Sequence, residues 1–201
     1  LPIDGYLFVT PIYARPGPRG QVEWFRKLLD AATKPCMLYN VPARVGCSLA
    51  IEVLQELKNH PNFWALKEAS GSLEQFCAYR DAALEVALFS GNDDLMPILA
   101  KEGAVGLVSV MGNAWPKATN NYVELSLQNK ISDNILLSSI ACINNRNPVS
   151  AKVLLHALGQ IRSSHLRAPL SYQDGSSAEE LLKEHLKVEK WLKTQREKCQ
   201  V

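Results

Sequence analysis

The sequence predicts an α/β architecture on a parallel sheet. Three observations carry the expectation. Short apolar runs rich in β-formers do not alternate polar with apolar residues, segments of helical spacing lie between them, and polar residues gather where the runs end.

Taken in order, the strand runs are GYLFVTP (5–11), CMLYN (36–40), FWALKE (63–68), VALFSG (86–91) and VGLVSV (105–110). Val22, Phe25, Leu28 and Leu29 mark the first helix; Leu49, Val53, Leu54 and Leu57 the second. Leu73, Phe76 and Cys77 mark the third, and Leu95, Ile98 and Leu99 the fourth. Ser48 and Ser72 stand where N-caps belong. Strand-helix alternation implies parallel strands joined by right-handed crossovers, in a doubly wound sheet or a closed barrel. No GxGxxG or GxxxxGK follows a strand, which favours the barrel. From Trp115 onward the signals are purely helical: 115–128, 131–144, 148–158 and a charged 177–198, with a loop at 167–177. The expected division is 1–114, a partial β/α barrel, and 115–201, a helical region packed on it.

Composition narrows the function. At 201 residues, 47% hydrophobic and 21% charged, the chain holds enough apolar material for a substantial core. A formal net charge of +2 argues for neither a nucleic-acid nor a membrane partner. No apolar run reaches about 18 residues, and LPIDGYLFVTP lacks the basic start of a secretory signal, so a cytoplasmic location is expected. Five scattered cysteines without a CxxC pair predict free thiols, mostly packed, and four unclustered histidines predict no metal site.

Strand ends carry Thr10 and Tyr13, Tyr39 and Asn40, Lys67 and Glu68, Asn92 and Asp93. In either α/β geometry that edge bears the site. A lysine held in an apolar setting loses its preference for the charged form and becomes available for Schiff-base formation with a carbonyl. The plainer reading is a strand-end lysine paired with Glu68 or a nearby acid. Tyr39 ends the preceding strand, about 4.8 Å away in a paired sheet, within reach of an amine or its substrate. Arg44, in NVPARVG, suits a two-pronged bond to a carboxylate.

LYNVPARVG (38–46), LKEASG (66–71), VTPIYARP (9–16), SGNDD (90–94) and NRNPVSAKVLLHALG (145–159) together resemble the dihydrodipicolinate synthase family of class I pyruvate-dependent lyases, within the N-acetylneuraminate lyase superfamily. The resemblance covers essentially the whole chain. It implies a partial TIM (β/α)8 barrel whose strands match the fourth to eighth of the family. Lys67 would form an imine with pyruvate, and the enamine would condense with L-aspartate 4-semialdehyde on the way to diaminopimelate and lysine, with no further cofactor. Tyr39 would carry protons, and Tyr13 would reach into a partner's site in a homodimer or homotetramer. Arg44 would meet the semialdehyde carboxylate; Val108, Gly91 and Asn92 would line the substrate pocket. An arginine at 44 favours the synthases over the sialic-acid lyases, and Ile12, where many relatives have a second tyrosine, makes feedback inhibition by lysine unexpected.

The family's GTTGE motif, whose threonines bind the pyruvate carboxylate and complete a proton relay, does not occur in this sequence. The resemblance places it on three preceding βα units, roughly 90 residues. Five strands do not close an eight-strand barrel, so an apolar edge at the first strand and impaired turnover are expected. A non-catalytic relative serving binding or assembly is the alternative, as is another pyruvate-dependent aldolase of the superfamily such as N-acetylneuraminate lyase.

Overall fold

The computed structural model describes residues 2–132 and 135–198. Five strands form one sheet in the order β1-β2-β3-β4-β5, every pair parallel. They are β1 (Tyr6–Val9), β2 (Cys36–Asn40), β3 (Phe63–Glu68), β4 (Ala87–Ser90) and β5 (Gly106–Leu107). Between them lie α1 (Pro18–Ala31), α2 (Pro42–Val45), α3 (Ile51–Leu57), α4 (Leu73–Ala82) and α5 (Met96–Lys101). Sequential order and uniform direction are those of part of a (β/α)8 barrel, since each crossover moves the chain one strand along without reversing.

Register fixes which side chains share a face. Leu38, Leu66 and Leu88 are partners across β2, β3 and β4 and are buried, as are Asn40, Glu68 and Ser90 two positions on. Phe25, Leu29, Leu54 and Phe76 on the helices are wholly buried too, so the core lies on this side of the sheet. Tyr39, Lys67 and Phe89 share the other face and are half-buried. On that side Leu7 and Trp64 are 51% and 52% exposed and border a cleft of about 460 Å³ with Met37. Trp64 tilts against Phe89, and Tyr6 stacks on Phe8, both at 5.6 Å between ring centroids. Among the described residues β1 pairs with β2 alone, so the edge expected to be apolar carries exposed Leu7 and half-buried Tyr6 and Phe8.

Two local expectations need correction. Ser72 caps α4 by accepting the Gln75 N–H, but Ser48 does not cap α3, which begins at Ile51 after Ala50. The Ala50 N–H is taken by Oε1 of Gln21, a buried α1 residue, so a tertiary acceptor replaces the local one. The short helix α2 was not expected. Pro42 opens it, and Gly46 closes it in the left-handed region (φ +89°), where a residue without Cβ is favoured.

The chain divides into two compact units, one running to Val108 and the second beginning at Ser109. The second comprises α6 (Pro116–Leu127), α7 (Leu137–Asn144), α8 (Val149–Ala157) and α9 (Ala178–Lys198). The helix expected over 131–144 starts only at Leu137; within that range Asp133 and Asn134 lie outside the described residues. Glu184 of α9 accepts hydrogen bonds from the Ser138 and Ser139 hydroxyls and from Lys187. Trp115, which is buried, donates its indole N–H to Nδ1 of His185 at 3.0 Å. Cys36 is buried and free, while Cys47, Cys77 and Cys142 are free and half-buried; Cys199 lies outside the described residues. No helix among the described residues is long and apolar enough to cross a membrane, and no group of three or more His, Cys, Asp or Glu among them is placed to hold a metal ion.

Candidate active site

The strand-end residues converge because register leaves them no choice. Tyr39 and Lys67 are direct partners in β2 and β3, on one face and near the C-terminal ends. The Lys67 Nζ stands 4.1 Å from the centroid of the Tyr39 ring. A cation over an aromatic face gains about 0.5–1 kcal/mol at an exposed site. Burial works against it, pushing the Lys67 pKa below the ordinary lysine value; the Asp93 charge opposes that shift, and Arg44 reinforces it. Desolvation is the largest of these, so the amine is easier to deprotonate than a surface lysine. Burial raises the Tyr39 phenol pKa, Arg44 pulls it down and Glu68 pushes it up. The phenol therefore holds its proton beside an amine that gives its own up more readily.

Gly91 lies against Lys67. A Cβ there would come within 2.9 Å of the Lys67 Cε. Its N–H donates to the Glu68 carbonyl at 2.6 Å, which ties the end of β4 to the end of β3. The Asn92 N–H meets the Ser90 hydroxyl, which in turn donates to the Asn92 carbonyl. Val108 follows β5 directly and donates its N–H to the Ser90 carbonyl, so the strand expected over 105–110 is regular only at Gly106–Leu107.

Arg44 sits in the last turn of α2, with Tyr13 across a second cleft of about 520 Å³ that Ile12, Arg15 and Gly46 also line. Tyr13 is 93% exposed and, at φ +71°, in the left-handed region. Lys67 and Tyr39 do not line this cleft. The structure thus forms two groups, an amine-phenol pair with Gly91 and a neighbouring cleft with Tyr13 and Arg44, linked by the effect of the Arg44 charge on both members of the pair.

Glu68 is not the acid that Lys67 pairs with in the plainer reading. It points to the buried face, where Asn40 and the Ser70 N–H occupy its two oxygens. Asp93 was noted in the sequence only as a strand-end polar residue; its 2% exposure and its influence on Lys67 come from tertiary placement.

Five parallel strands in sequential order, with a half-buried lysine against a tyrosine at their C-terminal edge, define the chain as part of a β/α barrel. Residues 2–188 match the Dihydrodipicolinate synthetase family, and the chain belongs to that family. It is 46% identical over 172 residues to the 4-hydroxy-tetrahydrodipicolinate synthase of Francisella philomiragia, an alignment covering 84% of this chain and 58% of that protein. To the enzyme of the same name from Wolbachia pipientis (subsp. Culex pipiens) it is 40% identical over 193 residues, covering 95% and 66%. The 4-hydroxy-tetrahydrodipicolinate synthase of Methylacidiphilum fumariolicum superposes with a TM-score of 0.85 at 28% identity, covering 96% of this chain and 66% of that one. The chloride-inhibited dihydrodipicolinate synthase of Acinetobacter baumannii complexed with pyruvate gives 0.79 at 28%, covering 90% and 64%. This chain therefore spans about three fifths of the length of the first of these relatives.

Proposed function

We propose that the site performs class I Schiff-base chemistry on pyruvate, as a synthase that joins pyruvate to L-aspartate 4-semialdehyde in lysine and diaminopimelate biosynthesis. The observation that carries this reading is the Lys67 amine over the Tyr39 ring, half-buried, with its charged form disfavoured. The neutral amine attacks the keto carbon of pyruvate. One of its protons and the Tyr39 phenol proton leave with the former carbonyl oxygen as water, giving the protonated imine and a tyrosinate. The tyrosinate takes a methyl proton, giving the enamine, whose carbon attacks the aldehyde carbon of the second substrate while the aldehyde oxygen takes the proton back from Tyr39. Arg44 receives that substrate's carboxylate by a two-pronged bond. Gly91 and Val108 border the pyruvate pocket with Asn92, and Tyr13 reaches into the site of a second copy in a homodimer or homotetramer. Both substrates are organic carbonyl compounds, and no cofactor beyond the lysine is required.

The threonine relay of the family belongs to a motif that these 201 residues do not contain. Turnover by this chain alone is accordingly weak, while imine formation, which needs only the amine and a proton carrier, persists. Borohydride reduction in the presence of pyruvate tests the reading. A pyruvate-sized mass increase is expected on the folded chain and is lost in Lys67→Ala; a folded chain without the adduct overturns the assignment.

A further inference from the structure

Behind the amine-phenol pair, on the opposite face of the same two strands, lies a second pair of register partners. Asn40 and Glu68 follow Tyr39 and Lys67 and are almost wholly buried, at 0% and 1% exposure. The Asn40 Nδ2 donates to Glu68 Oε2 at 2.6 Å, and the Ser70 N–H donates to Glu68 Oε1 at 2.6 Å. On its other side Asn40 Oδ1 accepts the Leu49 N–H at 2.8 Å, and the Leu49 carbonyl accepts the Tyr79 hydroxyl at 2.5 Å. The segment bearing Arg44 leaves Asn40 through the peptide bond and returns to it through Leu49.

We infer that Glu68 is a positioning residue of the amine site: through Asn40 it locks Tyr39, Lys67 and the Arg44 segment into one arrangement. The donor and acceptor pattern requires a carboxylate. Asn40 turns its oxygen to Leu49 and its NH2 to Glu68, so position 68 has to accept from both Asn40 and Ser70. A glutamine offers one acceptor oxygen, so whichever way its amide is turned its NH2 faces either the Asn40 NH2 or the Ser70 N–H. Turning the Asn40 amide over relieves that conflict only by presenting NH2 to the Leu49 N–H. Burial raises the Glu68 pKa, and its hydrogen bonds from Ser70 and Asn40, which favour the carboxylate, oppose the rise. The same charge helps the Tyr39 phenol keep its proton.

What the site does with the amine rests on the pyruvate reading; the arrangement itself does not, and its test uses no pyruvate. Acetylation of Lys67 by acetic anhydride, followed across pH by peptide mass spectrometry, reports the midpoint at which the amine becomes neutral. In Glu68→Gln the loosened strand ends let water reach the amine, whose lowered value comes chiefly from burial, so the midpoint is expected to rise toward the ordinary value of about 10.4, and a rise of one unit slows labelling at neutral pH about tenfold. The double variant Asn40→Asp/Glu68→Gln restores every donor and acceptor with the charge moved to position 40, and is expected to return the profile to that of the parent. A folded Glu68→Gln with an unchanged midpoint, or a folded double variant that fails to restore it, overturns the inference. Should Glu68→Gln not fold, Tyr79→Phe removes only the hydroxyl on the Leu49 carbonyl. A smaller rise is then expected, and no rise overturns the inference. Lack of a pyruvate adduct in the parent, with these profiles as expected, removes the pyruvate reading and leaves the positioning role standing.

Discussion

A Cβ on Gly91 would stand 2.9 Å from Cε of Lys67 and 2.6 Å from Cβ of Ala69, so the bare backbone at position 91 is what makes room for the lysine. The Glu68 carbonyl, at 3.0 Å, closes the remaining side. The Lys67 tail can swing aside, but Ala69 and the Glu68 backbone cannot move without disturbing the end of β3.

Gly91→Ala is therefore expected to lower stability by about 1–3 kcal/mol, the usual range for overpacking, and to slow pyruvate trapping at Lys67. Thermal unfolding and borohydride trapping check the two effects. An alanine variant that matches the parent in both would show that the site has slack the geometry does not reveal.

Lysine titration should leave a signature in folding. The unfolded chain holds the Lys67 proton up to about pH 10.4, and the folded chain, where burial lowers the pKa, releases it earlier. Between those points the unfolded state binds more protons, so this group makes stability rise with pH. Tyr39, raised by burial, acts in the opposite sense above about pH 10, which sets the upper limit of the window. Urea titrations from about pH 8 to about pH 10 are expected to show the parent gaining stability relative to Lys67→Met. A constant difference between the two would mean that Lys67 titrates as a surface lysine.

Tyr13, at 93% exposure and positive φ, presents its ring to solvent in a single copy. With Tyr13 in a partner's site, light scattering is expected to give at least a dimer, and Tyr13→Ala to weaken it. A clean monomer at working concentration would contradict the role.

In the helical unit the buried Trp115 indole depends on one acceptor, His185 Nδ1. His185→Ala strands that N–H, at an expected cost of about 1–3 kcal/mol. Denaturant titration checks it; an unchanged midpoint would imply that another acceptor takes over.

The five strands were legible because each is a continuous apolar run, and the apolar spacing between them marked four of the helices. Helix α2 was missed because four residues are too few for a period, although Pro42 and Gly46 carry its start and stop. Ser48 misled because a local capping preference of about 1 kcal/mol is small enough to be replaced, here by the tertiary bond that Gln21 makes to Ala50. At the site, Lys67, Tyr39 and Arg44 stood out by residue type and position, whereas the buried role of Glu68 did not. A glutamate next to a lysine in sequence looks like its ion-pair partner, yet successive strand residues face opposite sides of the sheet.

By itself the sequence determined the parallel α/β plan, the strand edge that bears polar groups and the lysine most suited to carbonyl chemistry, because each follows from apolar pattern, strand direction and side-chain type. Tertiary structure decided which groups meet. The register of β2 and β3 set Tyr39 against Lys67 and Asn40 against Glu68 on opposite faces, and burial on each face then altered their charges. Pairing and desolvation depend on strands far apart in the chain, and no local stretch of sequence specifies them.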